Sequence, residues 1–441
     1  MSLLVISPDY ASHLLPMATL AKAWADAGER VIVGTGPAVA PIVDRFGFEH
    51  ALLRLGRGSN AGVIRPEDQP PGESDSLRAF FAATRDGMIP TLMYQADARG
   101  DDLLWEPLAT ATAVLRIVDR VRPDAIVVDH LAFSATLALR AARIPYADVV
   151  LGHPTAHPVG DEIYGEAVAW PPAFRPNRGA AAALRRRCAV VRDRFTGTYN
   201  DTLLTLDPTA DAVPDAFAAH GATVLYNYPE ALHDPARTKA LPTSRAFLGS
   251  LVRPEAAGPD IAAWLDRDDP RPIVYVSFGS FLSARSDVLA KVVDALRDRP
   301  LRVALAIGSA PAAAIGPTPA DWLVRTYLPQ VAILEHASVA VTHAGNNSVT
   351  EALTAGVPLV ALPFSTDQFA GAASTERAGL GVALDPNSVT ADAIAAAVAD
   401  VSARPYRSAA ASLRETLLAD PGPVRARRAV DALSPAVRPG A

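Results

Sequence analysis

Short apolar runs, each followed by a stretch with helical periodicity, recur through both halves of the chain, and few architectures accept that pattern. Leu3 to Ser7, Val31 to Val33, Ala125 to Val128 and Ala147 to Leu151 are strand candidates in the first half. Ile273 to Ser277, Val303 to Ile307, Val339 to Thr342 and Leu359 to Leu362 repeat the theme in the second. A helix is expected from about Leu15 to Ala27, with Pro16 near its start and Gly28 just past its end, the usual asymmetry of helix ends. Such alternation calls for parallel strands joined by crossover helices. A chain of 441 residues is too long for one ordinary core. Two doubly wound α/β domains facing across a cleft are therefore expected, with ligands outside the carboxyl ends of the strands.

Composition narrows the function. Forty-one basic and 47 acidic residues leave a net charge of −6, which counts against a nucleic-acid binder. The one dense basic run, Arg185 to Arg187, sits in an Ala-rich helical context and reads as a solvated face. The single cysteine, Cys188, excludes an internal disulfide and reads as a packing thiol. "MSLLVISPDY" lacks a basic region and reads as a first strand, and no apolar run approaches the roughly 20 residues that span a bilayer. A cytoplasmic enzyme or binding protein, monomer or homodimer, is the working class.

Two stretches break the pattern. Residues 56–72 are rich in Gly, Pro and charge, and residues 56–76 are expected to form a mobile loop closing over a ligand. Residues 152–179 form a second irregular stretch, expected to line a pocket. His153, His157 and Asp161 recur at spacing four, but Pro154 and Pro158 work against a helix that would gather them, so no metal site is expected. Gly34 to Gly36 lacks the third glycine of a dinucleotide fingerprint and reads as a turn. Weak periodicity and four prolines place the linker at residues 233–260. That leaves domains at 1–232 and 261–420, then a C-terminal helix and tail at 421–441.

The most polar cluster of small residues, "HAGNNSVTEALTAGVP" at 343–358, follows one strand candidate directly and opens a helix. A helix N-terminus exposes N–H groups and favours an anion. Gly345 lets backbone approach closely, and His343 and Ser348 add side-chain donors, so a diphosphate accounts for the cluster. Ser348 and Glu351 also fit a capping box, which would need no ligand.

These residues, continued through "LVALPFSTDQ", resemble the nucleotide-sugar signature of family 1 glycosyltransferases, which have the two-domain GT-B fold. "YLPQ" at 327–330 is similar to the opening of that signature, "YVSFGS" at 275–280 to the start of the donor domain, and "SHLLPMATLAKAWADAGERV" at 12–31 to the first helix. The resemblance makes 1–232 the acceptor domain and 261–420 the donor domain. It implies that His343, Asn347 and Ser348 hold the donor diphosphate, with Gly345 and the loop at Gly279 and Ser280. Tyr327, Leu328, Gln330 and Glu351 would bind base and ribose, and Asp367 and Gln368 the hydroxyls of the donor sugar. Plant members have Trp where Asn346 stands and Asn where Gly371 stands, which leaves a dTDP-sugar as fitting as a UDP-sugar.

His13 and Asp129 each follow a strand candidate, so both should lie on one rim of the first sheet. A His held by a carboxylate is a general base in a fixed tautomer. By themselves, His13 could be a packed residue at a helix start and Asp129 a helix cap, with His130 a rival partner. In the family such a pair deprotonates the acceptor hydroxyl. The expected activity is an inverting, metal-independent transfer of sugar to a small-molecule acceptor, a secondary metabolite, with the nucleotide sugar as co-substrate and no cofactor. A nucleotide-sugar 2-epimerase of the same fold and a non-catalytic nucleotide-sugar binder are the alternatives.

Overall fold

The computed structural model describes residues 1–62 and 73–433. Its first sheet contains β1 (Ser2–Ile6), β2 (Arg30–Thr35), β3 (Glu49–Leu52), β4 (Ala125–Asp129), β5 (Ala147–Val150), β6 (Thr223–Tyr226) and β7 (Arg245–Phe247), in the order β3-β2-β1-β4-β5-β6-β7. The second contains β8 (Ile273–Ser277), β9 (Arg302–Ala306), β10 (Leu323–Arg325), β11 (Ala337–Thr342), β12 (Leu359–Ala361) and β13 (Gly381–Ala383), in the order β10-β9-β8-β11-β12-β13. The strand pairs are parallel throughout. Helices cover both faces, which is why β8 and most of β1 are buried on every side chain and read as continuous apolar runs.

Each sheet reverses its strand order once, between β1 and β4 in the first and between β8 and β11 in the second. Crevices of doubly wound sheets open at those places, outside the strand carboxyl ends. The architecture is the expected pair of doubly wound α/β sheets.

Several boundaries moved. The helix after β1 spans Ala11–Ala25, so Pro16 lies inside it. Pro16 has no N–H to give to the Ser12 carbonyl one turn back. Strand β7 falls inside residues 233–260, so the first sheet runs past residue 232 and the crossing is made by residues 248–258. The helix Gly422–Asp431 returns to the first domain, where Ala426 and Val430 share a core with Leu14, Trp24 and Leu248. Residues 73–76 of the expected loop open the helix Glu73–Asp86. Phe80 and Phe81 of that helix pack in the second domain's core with Val276, Phe278 and Leu282. The fully buried Arg285 donates to the carbonyl of Thr84 at 3.0 Å. Residues 63–72, on which most of the expected loop at 56–76 falls, and the tail at 434–441 lie outside the described residues.

Candidate active site

The two switch points face one another across a cavity of ≈ 850 Å³. On the first-domain side, β4 ends at Asp129, and the first turn of the helix after β1 carries His13. The His13 Nδ1 and Asp129 Oδ2 atoms are 2.7 Å apart, with the imidazole 21% and the carboxylate 1% exposed. The other Asp129 oxygen accepts the N–H of Leu131 at 2.9 Å, so the carboxylate cannot swing away without losing a second bond. It is the partner of the imidazole and closes a turn on Leu131, but it does not cap the next helix, whose N-cap is Ala132 with no side-chain cap. His130 is spoken for elsewhere: its Nδ1 meets Asp148 at 2.9 Å and its Nε2 the Phe217 carbonyl at 3.1 Å, all buried.

On the opposite side the helix Asn346–Thr354 follows β11 directly. Its N-cap is Gly345, and no side chain caps it. Ser348 is therefore inside the first turn and cannot be the cap of a capping box. Glu351 points elsewhere, accepting from Arg253 Nη1 at 2.6 Å and Gln330 Nε2 at 2.5 Å. The capping-box reading fails, and the cavity wall at Gly345 to Ser348 is a helix end without a side-chain cap. Such an end supplies N–H donors and positive potential.

Gly345 acts differently from expectation. A Cβ at Gly345 would lie 2.4 Å from His343 Nε2, and one at Gly279, where φ is +71°, would lie 3.0 Å from His343 Cε1. Both glycines make room for the imidazole itself. Burial pushes the His343 pKa down to about 4, so the ring is neutral at pH 7. The Ser280 side chain lies outside what is described.

The remaining expected donor residues gather at the cavity, but several have their polar groups engaged. Asn347 Nδ2 donates to the Ser12 carbonyl at 2.8 Å, the one Pro16 cannot serve. Asn346 Nδ2 donates to the carbonyls of Leu151 and Asn227 at 2.7 and 2.8 Å. Asp367 accepts the His153 N–H at 2.5 Å and the Thr366 hydroxyl at 2.9 Å. These contacts tie the two domains together at the cavity floor. Gln368 Oε1 accepts the N–H groups of Phe364 and Ser365 at 3.0 and 3.1 Å, closing its own turn. Leu328 is buried in the wall, and Tyr327, 61% exposed, donates its hydroxyl to Glu255 at 2.5 Å.

Arg253 and Asn346 were not anticipated as site residues. Arg253 reaches Glu351, 98 residues away, besides its near neighbour Glu255, and Asn346 reaches partners 119 or more residues away; local patterning carries no signal for such distant pairs. His153 and His157 are buried apart from a shared site, bonded to Ser374 and to Tyr226 respectively. Gly152, Tyr164 and Ala167 of the same stretch do line the cavity. Arg185 is half exposed and paired with Glu166, and the buried Cys188 thiol is pushed up to about 12. Among the described residues no helix is long and apolar enough to cross a membrane.

Two doubly wound parallel domains, facing one another with a switch point on each side of the cleft, define the GT-B architecture. The solved glycosyltransferase VinC, in complex with dTDP, superposes with a TM-score of 0.68 over 99% of this chain and 100% of that one, at 18% identity. Residues 246–421 match the model for UDP-glucoronosyl and UDP-glucosyl transferase. Demethyllactenocin mycarosyltransferase of Streptomyces fradiae is 37% identical over 130 residues, 29% of this chain and 28% of that protein. 4'-Demethylrebeccamycin synthase of Lentzea aerocolonigenes is 26% identical over 433 residues, covering 91% and 92%. The chain spans about a third of the length of the first curated relatives it matches, 28% of one and 35% of the next. The match to the UDP-glucoronosyl and UDP-glucosyl transferase family thus falls on the second domain and the segment that leads into it.

Proposed function

We propose that the protein transfers a sugar from a nucleoside diphosphate, dTDP or UDP, to a hydroxyl of a small-molecule acceptor, with inversion and without a metal. The observation that carries this reading is the 2.7 Å His13–Asp129 contact, set across one cavity from an uncapped helix N-terminus. With Nδ1–H donated to Asp129, His13 Nε2 holds the lone pair that takes the acceptor's proton. The acceptor oxygen then bonds to the anomeric carbon as the bond from that carbon to the diphosphate oxygen breaks. The departing diphosphate gains charge, which the N–H groups of Asn346 to Ser348 with His343 would receive. A 2-epimerase would need carboxylates at the sugar, and a non-catalytic binder has no use for the His13–Asp129 pair.

The acceptor end of the cavity is walled by Leu92, Ala96, Leu131, Tyr164, Val191 and Phe217. Such a surface favours an apolar, ring-containing aglycone over an aminocyclitol. The dTDP complex of VinC supports dTDP as the nucleotide to try first. Incubation of the protein with dTDP- and UDP-sugars and a pool of polyketide-like aglycones, followed by mass spectrometry, tests the reading. A hexose-mass adduct that forms in excess chelator and is lost in His13→Ala supports it. Sugar epimerisation without any adduct would sink it.

A further inference from the structure

Two buried histidines stand side by side near the acceptor end of the cavity, and the mechanism uses neither. The rings of His130 and His157 are 5.2 Å apart, edge to face. They hold consecutive carbonyls of one turn, His130 Nε2 donating to Phe217 at 3.1 Å and His157 Nε2 to Ala218 at 3.1 Å. Their other nitrogens differ. His157 Nδ1 meets the Tyr226 hydroxyl at 2.9 Å, and a hydroxyl can donate to it. His130 Nδ1 meets Asp148 Oδ2 at 2.9 Å, and a carboxylate only accepts.

Counting protons separates the two rings. A neutral imidazole has one N–H, which is all that His157 needs, since its Nε2 donates and its Nδ1 accepts. His130 has an acceptor on each side, so both of its bonds exist only while the ring carries both protons. Asp148 is fully buried in β5 and ion-paired with His130, so the two charges cancel at a depth where either alone would be costly. Burial opposes the charge on His130, but Asp148, with Asp129 and the Phe217 carbonyl, outweighs it and raises the pKa. Burial, helped by the charge on His130, pushes His157 down to about 3. Tyr146, Tyr199 and Tyr226 also face Asp148, and burial raises all three, so they stay uncharged. Arg140 is the charged group beside Tyr146 and Tyr199, and the ring of His220 lies 5.5 Å from that of His157.

The turn held in this way is part of the cavity wall. The Phe217 ring stacks on Tyr164 and on Phe195, 4.2 Å from each, and both Phe217 and Tyr164 line the cavity. A neutral His130 would keep its one N–H on the carboxylate, the stronger acceptor. It would then turn a lone pair towards the Phe217 carbonyl, and repulsion there would loosen the stack.

Building on the glycosyltransferase reading, we infer that His130 is held doubly protonated by Asp148 and is a positioning residue for the acceptor, fixing the Phe217 stack through that residue's carbonyl. Acceptor affinity then falls on the alkaline side, where the ring loses its second proton. The nucleotide site, built on the second domain, is indifferent to that loss.

NMR of the full-length protein, with nitrogen-15 in its histidines and para-fluorophenylalanine at position 217, tests this, and His130→Gln identifies the His130 signal. At pH 7.5 the wild-type protein should show protons on both ring nitrogens of His130 and on one of His157. The second His130 proton should leave above about pH 6.5, the value of an unperturbed ring, and the fluorine resonance should shift at the same pH. Pyrenemethanol, a neutral fluorescent alcohol that does not titrate, probes the acceptor wall. Its dissociation constant should rise at least fivefold across that transition, while that of dTDP changes less than twofold. Asp148→Asn withdraws the paired charge and should move all of these transitions down by about one pH unit or more. A merely structural Asp148 would weaken the probe at every pH without moving them, which would overturn the inference. A neutral His130 at pH 7.5 in the wild-type protein would overturn it without any variant having to fold. So would a Phe217 resonance or a probe affinity that ignores the His130 transition. Protein that transfers no sugar while His130 titrates as described would defeat the glycosyltransferase reading and leave the charged ring standing.

Discussion

The switch point of the first sheet and that of the second occupy the same topological place, and they are equipped in different ways. Between β1 and β4 the working groups we propose are side chains, an imidazole held at 2.7 Å by a carboxylate buried at a strand end. Between β8 and β11 the groups we propose are peptide N–H groups at a helix end without a side-chain cap, with one neutral imidazole beside them. The side chains of Asn346, Asn347 and Asp367 there hold the domains together. The difference follows from chemistry. A proton acceptor needs a group that titrates near neutrality and points one way. An anion needs only donors, which backbone supplies already ordered.

The contrast predicts separable failures. The largest concerns the first switch point. His13→Ala should lower turnover by about 10²–10⁴-fold, the usual worth of a positioned base. Its dTDP affinity should stay within a few-fold of wild type; initial rates and calorimetry on one preparation give both numbers. Near-wild-type turnover would remove His13 from the mechanism and the contrast with it.

The second switch point should fail in binding. His343→Ala is expected to cost dTDP roughly 1.5–3 kcal/mol, the range for a hydrogen bond to a charged group. Free thymidine should lose much less. Equal losses for both ligands would show that His343 shapes the cavity without touching phosphate.

Asn347 lies on the line between the two descriptions, since it was expected on the diphosphate and bonds the Ser12 carbonyl instead. Asn347→Ala should cost about 0.5–1.5 kcal/mol of stability in urea melts, as one hydrogen bond is worth. Pro16→Ala restores an N–H that competes for the same carbonyl, and should make the Asn347 substitution milder. A loss of dTDP affinity as large as that of His343→Ala, with unchanged stability, would return Asn347 to the diphosphate.

A further expected effect is on acid stability. Burial holds His343 near pKa 4 and His157 near 3, against about 6.5 when unfolded. The unfolded chain therefore binds more protons, and stability falls as pH drops from about 6.5 towards 4. Urea midpoints between pH 7 and 5 should fall less in His343→Gln than in wild type. Equal slopes would mean that the ring is not held neutral.

What could be read from sequence tracks how local each feature is. Strands such as Ile273–Ser277, covered on both faces, stand out as apolar runs. Strands of three or four residues, Glu49–Leu52, Arg245–Phe247 and Leu323–Arg325, at or near sheet edges, do not. The missed β7 made the expected linker, 233–260, longer than the crossing at 248–258, and Arg253 lies in both. The 343–358 stretch was legible because strand, turn and helix are contiguous. Its capping-box rival failed only once the helix was seen to start at Asn346. His13 and Asp129, 116 residues apart, could be paired through the shared rim of one sheet together with the family resemblance. The bonds from Asn346 to Leu151 and Asn227 had no such rule behind them.

The division of labour between the two switch points is most directly tested by a crystal structure of the protein soaked with dTDP. The account predicts diphosphate oxygens within hydrogen-bonding distance of the N–H groups of Asn347 and Ser348 and of the His343 ring. It also predicts the thymine end against Tyr327, with the His13–Asp129 pair undisturbed. Diphosphate seated on His13 at the β1–β4 crevice, with the Asn346–Thr354 helix end empty, would contradict it.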